Sequence, residues 1–398
     1  MSDQYFPALR LHTSEREYLA SLRRRERAAM LQVVESGRKR SRVDVPLRMQ
    51  VLQSTLPEEL RAHLFHELEH NLCDKYTTWV RKALQLPLGR MHRKQQQLGA
   101  VATALERVKA SLDRHATGHD AAKREVLKLF CQTYAGGGAS ANYALGLEGP
   151  PGTGKTHFVK HALAPALGRP LVSIPLGGAT DVSYLMGSLY VYEGSKEGRL
   201  AAGLVEAECC DPVIHFDELD KVSATDRGGE IVNALIHLID PTANAALRDR
   251  YFHGIDLDFS RCTFVFSFND ASRVSPILLD RIRRVHMGTP TDDERRAILD
   301  DHVVPRVQRR LGWKGRLSRG VVDLILDRSE GGMRDAERDA DHVLTSARMC
   351  LLAESGRLMG TTAPVVDEGT DDVHVAFARD VLAPSAKEDD QPPSTMYT

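Results

Sequence analysis

The sequence predicts an α/β fold, a parallel sheet with helices on both faces, followed by a small helical domain and preceded by a helical N-terminal region. Three observations lead there. The glycine-rich run Gly149-Pro150-Pro151-Gly152-Thr153-Gly154-Lys155-Thr156 follows a short apolar segment and precedes a helical one. From Ala144 to about Met287, short apolar runs alternate with helical stretches, as parallel strands joined by helical crossovers require. Beyond Thr289-Pro290-Thr291 the pattern changes, and residues 292–312 and 318–355 show helical periodicity rich in Asp, Glu and Arg.

Taken in order, residues 1–98 read as a mainly helical region with a break at Leu86-Pro87-Leu88-Gly89. Ser14 and Glu17 can open its first helix as a capping box, and Arg23-Arg24-Arg25-Glu26-Arg27 lies along that helix. Arg38-Lys39-Arg40-Ser41-Arg42 falls past Gly37, in a loop. Residues 99–290 form the sheet domain. Its strands are expected at Ala144 to Glu148, Leu171 to Ile174, Val213 to Phe216, Cys262 to Phe268 and Val285 to Met287, with a helix from Thr156 to Leu163. Residues 291–384 form the helical domain, with a loop from Gly356 to Thr370 and a last short strand at Val373-His374-Val375. Residues 385–398 are polar, carry two prolines and read as a disordered tail.

The chemistry starts at the glycine-rich run. Its fixed glycines, lysine and threonine are those of a phosphate-binding loop, whose backbone N–H groups turn inward around phosphate oxygens at a helix N-terminus. Gly149, Pro150, Pro151, Gly152, Thr153, Gly154, Lys155 and Thr156 are therefore the candidate nucleotide-binding residues. Lys155 is placed to reach the β- and γ-phosphates, and the Thr156 hydroxyl to ligate Mg²⁺. The apolar run Val213-Ile214-His215-Phe216 ends in Asp217-Glu218, 61 residues after Thr156 (217 − 156). Asp217 at a strand end suits Mg²⁺ and Glu218 suits activation of water, and that second acid favours hydrolysis of ATP. Asn269 ends the next apolar run, and Leu278-Leu279-Asp280-Arg281 places an arginine at the end of a short helix.

These residues together resemble the AAA+ ATPases, and most closely the ATPase module of Lon proteases. The likeness rests on Leu176-Gly177-Gly178-Ala179-Thr180-Asp181, Asp217-Glu218-Leu219-Asp220-Lys221, Asp240-Pro241 and Leu278-Leu279-Asp280-Arg281, all in the Lon order. Lys75-Tyr76-Thr77-Thr78-Trp79-Val80, Leu86-Pro87 and Gly332-Met333-Arg334-Asp335-Ala336-Glu337-Arg338 extend it over about residues 70 to 384. The resemblance implies a nucleotide-binding subdomain, a helical lid and a homo-oligomeric ring, typically a hexamer, acting on protein substrates. It makes Asn269 the first sensor, Arg334 the second sensor on the lid, and Arg281 the finger that enters a neighbour's site, with Arg283 and Arg284 as alternatives. Two departures stand out. No serine–lysine peptidase motif is found and few residues follow Ser385, so peptide-bond cleavage is not expected within this chain. Alignment on Gly187, Gly194, Gly198 and Arg199 puts Tyr192 at the pore aromatic, yet Glu193 follows where Lon has an aliphatic residue. Tyr190-Val191 is the alternative grip.

Other signals have plainer readings. His66-Glu67-Leu68-Glu69-His70 satisfies a zinc-peptidase pattern, but the stripe Leu60, Leu64, Leu68, Leu72 places both histidines on the opposite, solvent face of a helix. Leu145-Gly146-Leu147 lies on the strand feeding the phosphate loop and is expected to be buried, not a docking loop. The net charge of −1 over 398 residues makes no general polyanion binder, although residues 1–50 carry 11 Lys/Arg against 6 Asp/Glu. That basic region leaves a second reading open, a nucleic-acid-associated motor or replication factor. Six cysteines without a CxxC pair, no run long enough to span a membrane, and no signal-like start lead to the expectation of an intracellular protein, cytoplasmic or nuclear.

Overall fold

The computed structural model describes residues 45–71, 73–92, 101–135, 144–222, 226–329, 332–352, 365–366 and 372–383. The chain separates into two compact units, Met1–Gln85 and Leu86–Thr398. The capping box at Ser14, both arginine-rich segments and the polar tail lie outside the described residues.

In the first unit, α1 (Leu47–Leu52), α2 (Glu58–His70) and α3 (Asp74–Ala83) follow one another. Leu64 and Leu68 bury the apolar stripe of α2, while His66 and His70 are exposed, as the helical spacing requires. Their third neighbour is Glu69, not Glu67, and Glu69 is already paired with Arg48 at 3.0 Å. The Arg48 guanidinium also lies 4.1 Å from the centre of the Phe65 ring, so one side chain clamps α1 to α2 by charge and by cation–π attraction. Along α3 the rings of Tyr76 and Trp79 stack, one turn apart.

The second unit opens with α4 (Val101–His115) and α5 (Asp120–Ala135). Five parallel strands then form one sheet: β1 (Ala144–Glu148), β2 (Leu171–Pro175), β3 (Val213–Asp217), β6 (Thr263–Phe268) and β7 (Ile282–His286), in the order β2-β3-β6-β1-β7. β4 (Leu247–Arg248) and β5 (Asp256–Leu257) make a separate antiparallel pair. The central strands are apolar on both faces because both are covered. On one side Leu112, Val126, Phe130, Phe158 and Leu163 pack on Leu145, Leu147, Val265 and Val285. On the other, α8 (Arg199–Ala207), which follows the short α7 (Ser183–Met186), lies so close to β2 that a Cβ on Gly203 would meet Val172 at 2.5 Å. Leu145 and Leu147 are fully buried, and a Cβ on Gly146 would meet Ile282 at 2.4 Å, so this strand cannot act as an exposed docking loop.

Several boundaries differ from the sequence reading. The helix after the phosphate loop, α6, begins at Lys155, passes through a π-helical stretch at Phe158–Leu163 and ends at Leu167. The last sheet strand starts at Ile282 rather than Val285. Arg283 and Arg284 are exposed within it, which an edge strand tolerates because it is paired only with β1. After α9 (Asp226–Ile239) and α10 (Pro276–Leu279), α11 starts at Asp292 behind a complete Thr291–Glu294 capping box and runs, again through a π-helical stretch at Leu299–Val303, to Leu311. Packed with α11 are α12 (Arg319–Arg328), α13 (Met333–Leu352) and α14 (Val375–Leu382) around Val303, Val321, Ile325, Val343, Leu344 and Phe377. Val373 belongs to β9 (Asp372–Val373), paired with β8 (Arg316–Leu317). His374 and Val375 correct the expected last strand, because the His374 ring accepts from the Ala376 N–H and caps α14 instead.

Candidate active site

β3, β6 and β1 are neighbours in the sheet, so the segments leaving their carboxyl ends converge. The glycine-rich loop leaves β1, Asp217 ends β3, and Asn269 follows β6. From β1 the chain crosses to β2 at one edge, while β7 adds on the other side, and open parallel sheets take up ligands at such a switch point. Pro151 to Thr156, Asp217, Glu218, Asn269 and Arg334 all line a cavity of about 680 Å³ there. Gly149 and Pro150 join through their carbonyls. Lys155 donates to Gly149 O at 2.7 Å, Pro150 O at 2.8 Å and Asn269 Oδ1 at 2.8 Å, which uses all three ammonium protons. Burial draws the Lys155 pKa below its usual value, Asp217 and Asp220 oppose that, and Arg334 adds to it. Gly152 and Gly154 hold φ of 84° and 83°, the left-handed backbone that lets the loop curl around a phosphate.

The acidic pair divides into two environments. Asp217 Oδ2 accepts from Thr156 Oγ1 at 2.9 Å, and Oδ1 accepts from Ser267 Oγ at 2.5 Å and from the Glu218 N–H at 3.0 Å. Burial works against this carboxylate, but the Ser267 hydroxyl, His215 and the Thr156 hydroxyl hold its pKa below the ordinary range. Glu218 is exposed to the cavity at φ 60°, a left-handed conformation that is costly for a side-chain-bearing residue. Gly177 stands against it: a Cβ there would fall 2.2 Å from Glu218 Oε2. Asp220 also lines the cavity, and its buried Oδ1 has no partner among the described residues. The Thr156 hydroxyl and the Asp217 carboxylate are adjacent hard-oxygen donors, which suit Mg²⁺.

The arginines separate. Arg334 opens α13 and reaches the cavity from the helical layer. Arg281 does not line it. It is exposed at the end of α10 and donates to Ile277 O at 3.3 Å. Arg283 is committed to Glu125 at 3.1 Å, and Arg284 lies 3.8 Å from Glu148. Of the three, Arg281 alone has no ion-pair partner among the described residues.

Sequence reasoning missed a histidine arm of the cavity. His119, His157, His161 and His302 line it, the His157 and His161 rings 4.5 Å apart, and His302 Nε2 is 3.4 Å from Thr117 Oγ1. His157 stands just before one π-helical stretch, His161 lies within it and His302 sits in the other. Burial and the His161 ring push the His157 pKa down to about 4.

The 188–197 loop stands apart from the cavity. Val191 and Tyr192 are 57% and 66% exposed, Leu189 is exposed, and Tyr190 is half-buried. Its base is pinned by Asp249, which is buried and accepts from Gly198 N at 2.9 Å and Tyr251 N at 2.8 Å. Burial raises the Asp249 pKa to about 6, despite the Gly198, Tyr251 and Phe252 N–H groups that favour the anion; Glu197 adds to the rise. A carboxyl raised from 3.8 contributes stability that is full below about 3.8 and lost as the pH climbs through about 6. Asp249→Asn, which carries no charge, should therefore gain stability relative to the parent between pH 4 and 7, by up to ~3 kcal/mol. Urea unfolding at stepped pH measures this, and parallel curves for the two proteins would exclude it.

Comparison with known proteins agrees with this arrangement. Residues 145–288 match the family model described as ATPase family associated with various cellular activities (AAA). A Lon protease homolog from Acanthamoeba polyphaga mimivirus is 32% identical over 246 residues, 60% of this chain and 24% of that protein. Lon protease 4 of Sorangium cellulosum is 34% identical over 271 residues, 65% of this chain and 32% of the relative. The Lon protease of Syntrophus aciditrophicus is 29% identical over 342 residues, 82% of this chain and 41% of the relative. The chain thus spans between a quarter and two fifths of the length of these relatives.

Proposed function

We propose, from the premise that this chain is a Lon-like AAA+ ATPase, that it hydrolyses Mg·ATP in a homo-oligomeric ring of six subunits and uses the cycle to remodel, unfold or translocate protein. One observation carries the reading: the loop after β1, the ends of β3 and β6, and the start of α13 meet in one cavity, while Arg281 faces outward. No peptide-bond cleavage is assigned to these residues.

Each side chain then has a role. As triphosphate enters, the Lys155 ammonium exchanges the Gly149 and Pro150 carbonyls for phosphate oxygens, and the backbone N–H groups of residues 152 to 156 surround the β-phosphate. Thr156 and Asp217 would hold Mg²⁺, which would offset the negative charge developing on the phosphate oxygens. Glu218 accepts the proton of the attacking water while Asn269 orients that water. The new bond joins water oxygen to the γ-phosphorus, and the bond to the β,γ-bridging oxygen breaks. Arg334 from the helical lid and Arg281 from the neighbouring subunit stabilise the transferred group. The exposed Val191 and Tyr192, with Tyr190 beside them, are the surface that grips polypeptide.

ATPase rate, measured with and without an unfolded protein and alongside particle mass, tests this. The expected result is magnesium-dependent turnover by a multimer, raised by unfolded protein and absent in Lys155→Ala. Stimulation by DNA instead, lost on removing residues 1–45, would move the assignment to a nucleic-acid motor. Brisk turnover by a protomer would remove the shared-site reading.

A further inference from the structure

Behind Asp217 lies a polar chain that nucleotide binding does not itself require. His215 is fully buried in the middle of β3, and its Nε2 is 2.9 Å from Ser267 Oγ on β6. The pairing of His215 with Val265 and of Phe216 with Phe266 sets Ser267 level with the end of β3, so the side chains of His215, Ser267 and Asp217 fall on one face of the sheet. Ser267 Oγ in turn lies 2.5 Å from Asp217 Oδ1.

The proton roles follow from the acceptors. An ionised carboxylate only accepts, so the single Ser267 hydroxyl proton points at Asp217. Ser267 Oγ must then receive its second bond, and His215 gives it from Nε2–H. That tautomer leaves Nδ1 as a bare acceptor, and Nδ1 is buried without a partner among the described residues. An unsatisfied buried polar atom costs ~1–3 kcal/mol, and an aliphatic side chain would fill this strand position without that cost. Interior packing alone gives no reason for an imidazole here.

We propose that His215 and Ser267 are positioning residues for metal capture, a directed N–H→O–H→carboxylate relay that fixes the rotation of Asp217. The inference rests on the hydrolysis reading above. The terminal torsion of an aspartate is broad and roughly two-fold, so something must select one orientation. Oδ1 is occupied by the Ser267 hydroxyl and the Glu218 N–H, which turns Oδ2 toward Thr156 and the cavity. Successive hydrogen bonds in a dry interior polarise one another, so the His215 N–H strengthens the hold of Ser267 on the acid. His215 touches neither nucleotide nor water in this scheme and acts only through Ser267 and Asp217.

The test uses the full chain with a saturating non-hydrolysable ATP analogue, and reads Mn²⁺ affinity by electron paramagnetic resonance. Ser267→Ala and His215→Leu should each weaken Mn²⁺ binding by about tenfold or more, the usual effect of losing an outer-shell partner. Analogue affinity in EDTA should stay at the parental value, because Lys155 and the loop are untouched. His215→Gln, whose amide N–H sits near the position of Nε2, and Ser267→Thr, which keeps the hydroxyl, should recover most of the affinity. Parental Mn²⁺ affinity in Ser267→Ala would overturn the relay, as would parental affinity in His215→Leu. Equal loss in deletion and conservative variants would also overturn it, since packing alone would then account for the effect. If His215→Leu does not fold, the Ser267→Ala and Ser267→Thr pair still decides. A parent that binds neither analogue nor Mn²⁺ sinks the hydrolysis reading itself, an outcome distinct from failure of the relay.

Discussion

Glu218→Gln binds ATP with the affinity of the parent and hydrolyses it about 10²- to 10⁴-fold more slowly, the range expected when a general base is removed. The amide has the same shape as the carboxylate, so the contacts that hold triphosphate remain: Lys155 in the loop, the Thr156–Asp217 pair and Arg334 from α13. What the amide lacks is a basic oxygen for the proton that water must lose. Placement strengthens the expectation. Glu218 is exposed to the cavity and is held there by a left-handed backbone and by the absence of a side chain at Gly177, whereas Asp217 is tied down by three hydrogen bonds. Single-turnover phosphate release, with analogue binding measured on the same preparation, separates the two effects. Equal release rates in variant and parent would remove Glu218 from the role.

Arg281→Ala should also keep nucleotide affinity, yet lose about 10³- to 10⁵-fold in turnover, as related enzymes do without an arginine finger. Within its own protomer Arg281 lies outside the cavity, and its guanidinium donates to the Ile277 carbonyl. Arg283 and Arg284 are engaged with Glu125 and Glu148, so moving either outward would break a contact. A mixture makes the result decisive. In a ring with head-to-tail interfaces, an Arg281→Ala subunit keeps an intact Glu218, and a Glu218→Gln neighbour can lend its arginine. An equal mixture then rebuilds about a quarter of the sites, and two inactive preparations become active together. Mixtures that stay inactive, although mass measurements show mixed rings, would mean that Arg281 acts within its own subunit or not at all.

Much of this arrangement was legible in the sequence because its signals are local. The phosphate loop is a contiguous pattern, and the strands carrying Asp217 and Asn269 are unbroken apolar runs, as strands covered on both faces must be. Ile282, Arg283 and Arg284 were missed as strand because an edge strand tolerates exposed charge, and the apolar run becomes continuous only at Val285. His374 was read into a strand because its capping bond to Ala376 leaves no mark in hydrophobic periodicity. The partners of His215 and Asp249 were hidden for a different reason. Ser267 lies 52 positions from His215, and Gly198 lies 51 from Asp249, so each pair becomes visible only when the sheet and its loops are assembled. The histidine arm was hidden in the same way: His302 lies 145 positions from His157 (302 − 157), and their rings come within 6.4 Å only in the folded chain.

Gly177 and the 188–197 loop belong to one continuous stretch of backbone leaving β2. Its near end forms the wall behind Glu218, and its far end presents Val191 and Tyr192. Strain imposed at the outer end therefore has a short covalent route to the carboxylate. On the proposed translocation reading, a stalled cargo would tug on the wall of the reaction chamber, and the firing rate of each protomer would become a gauge of mechanical load.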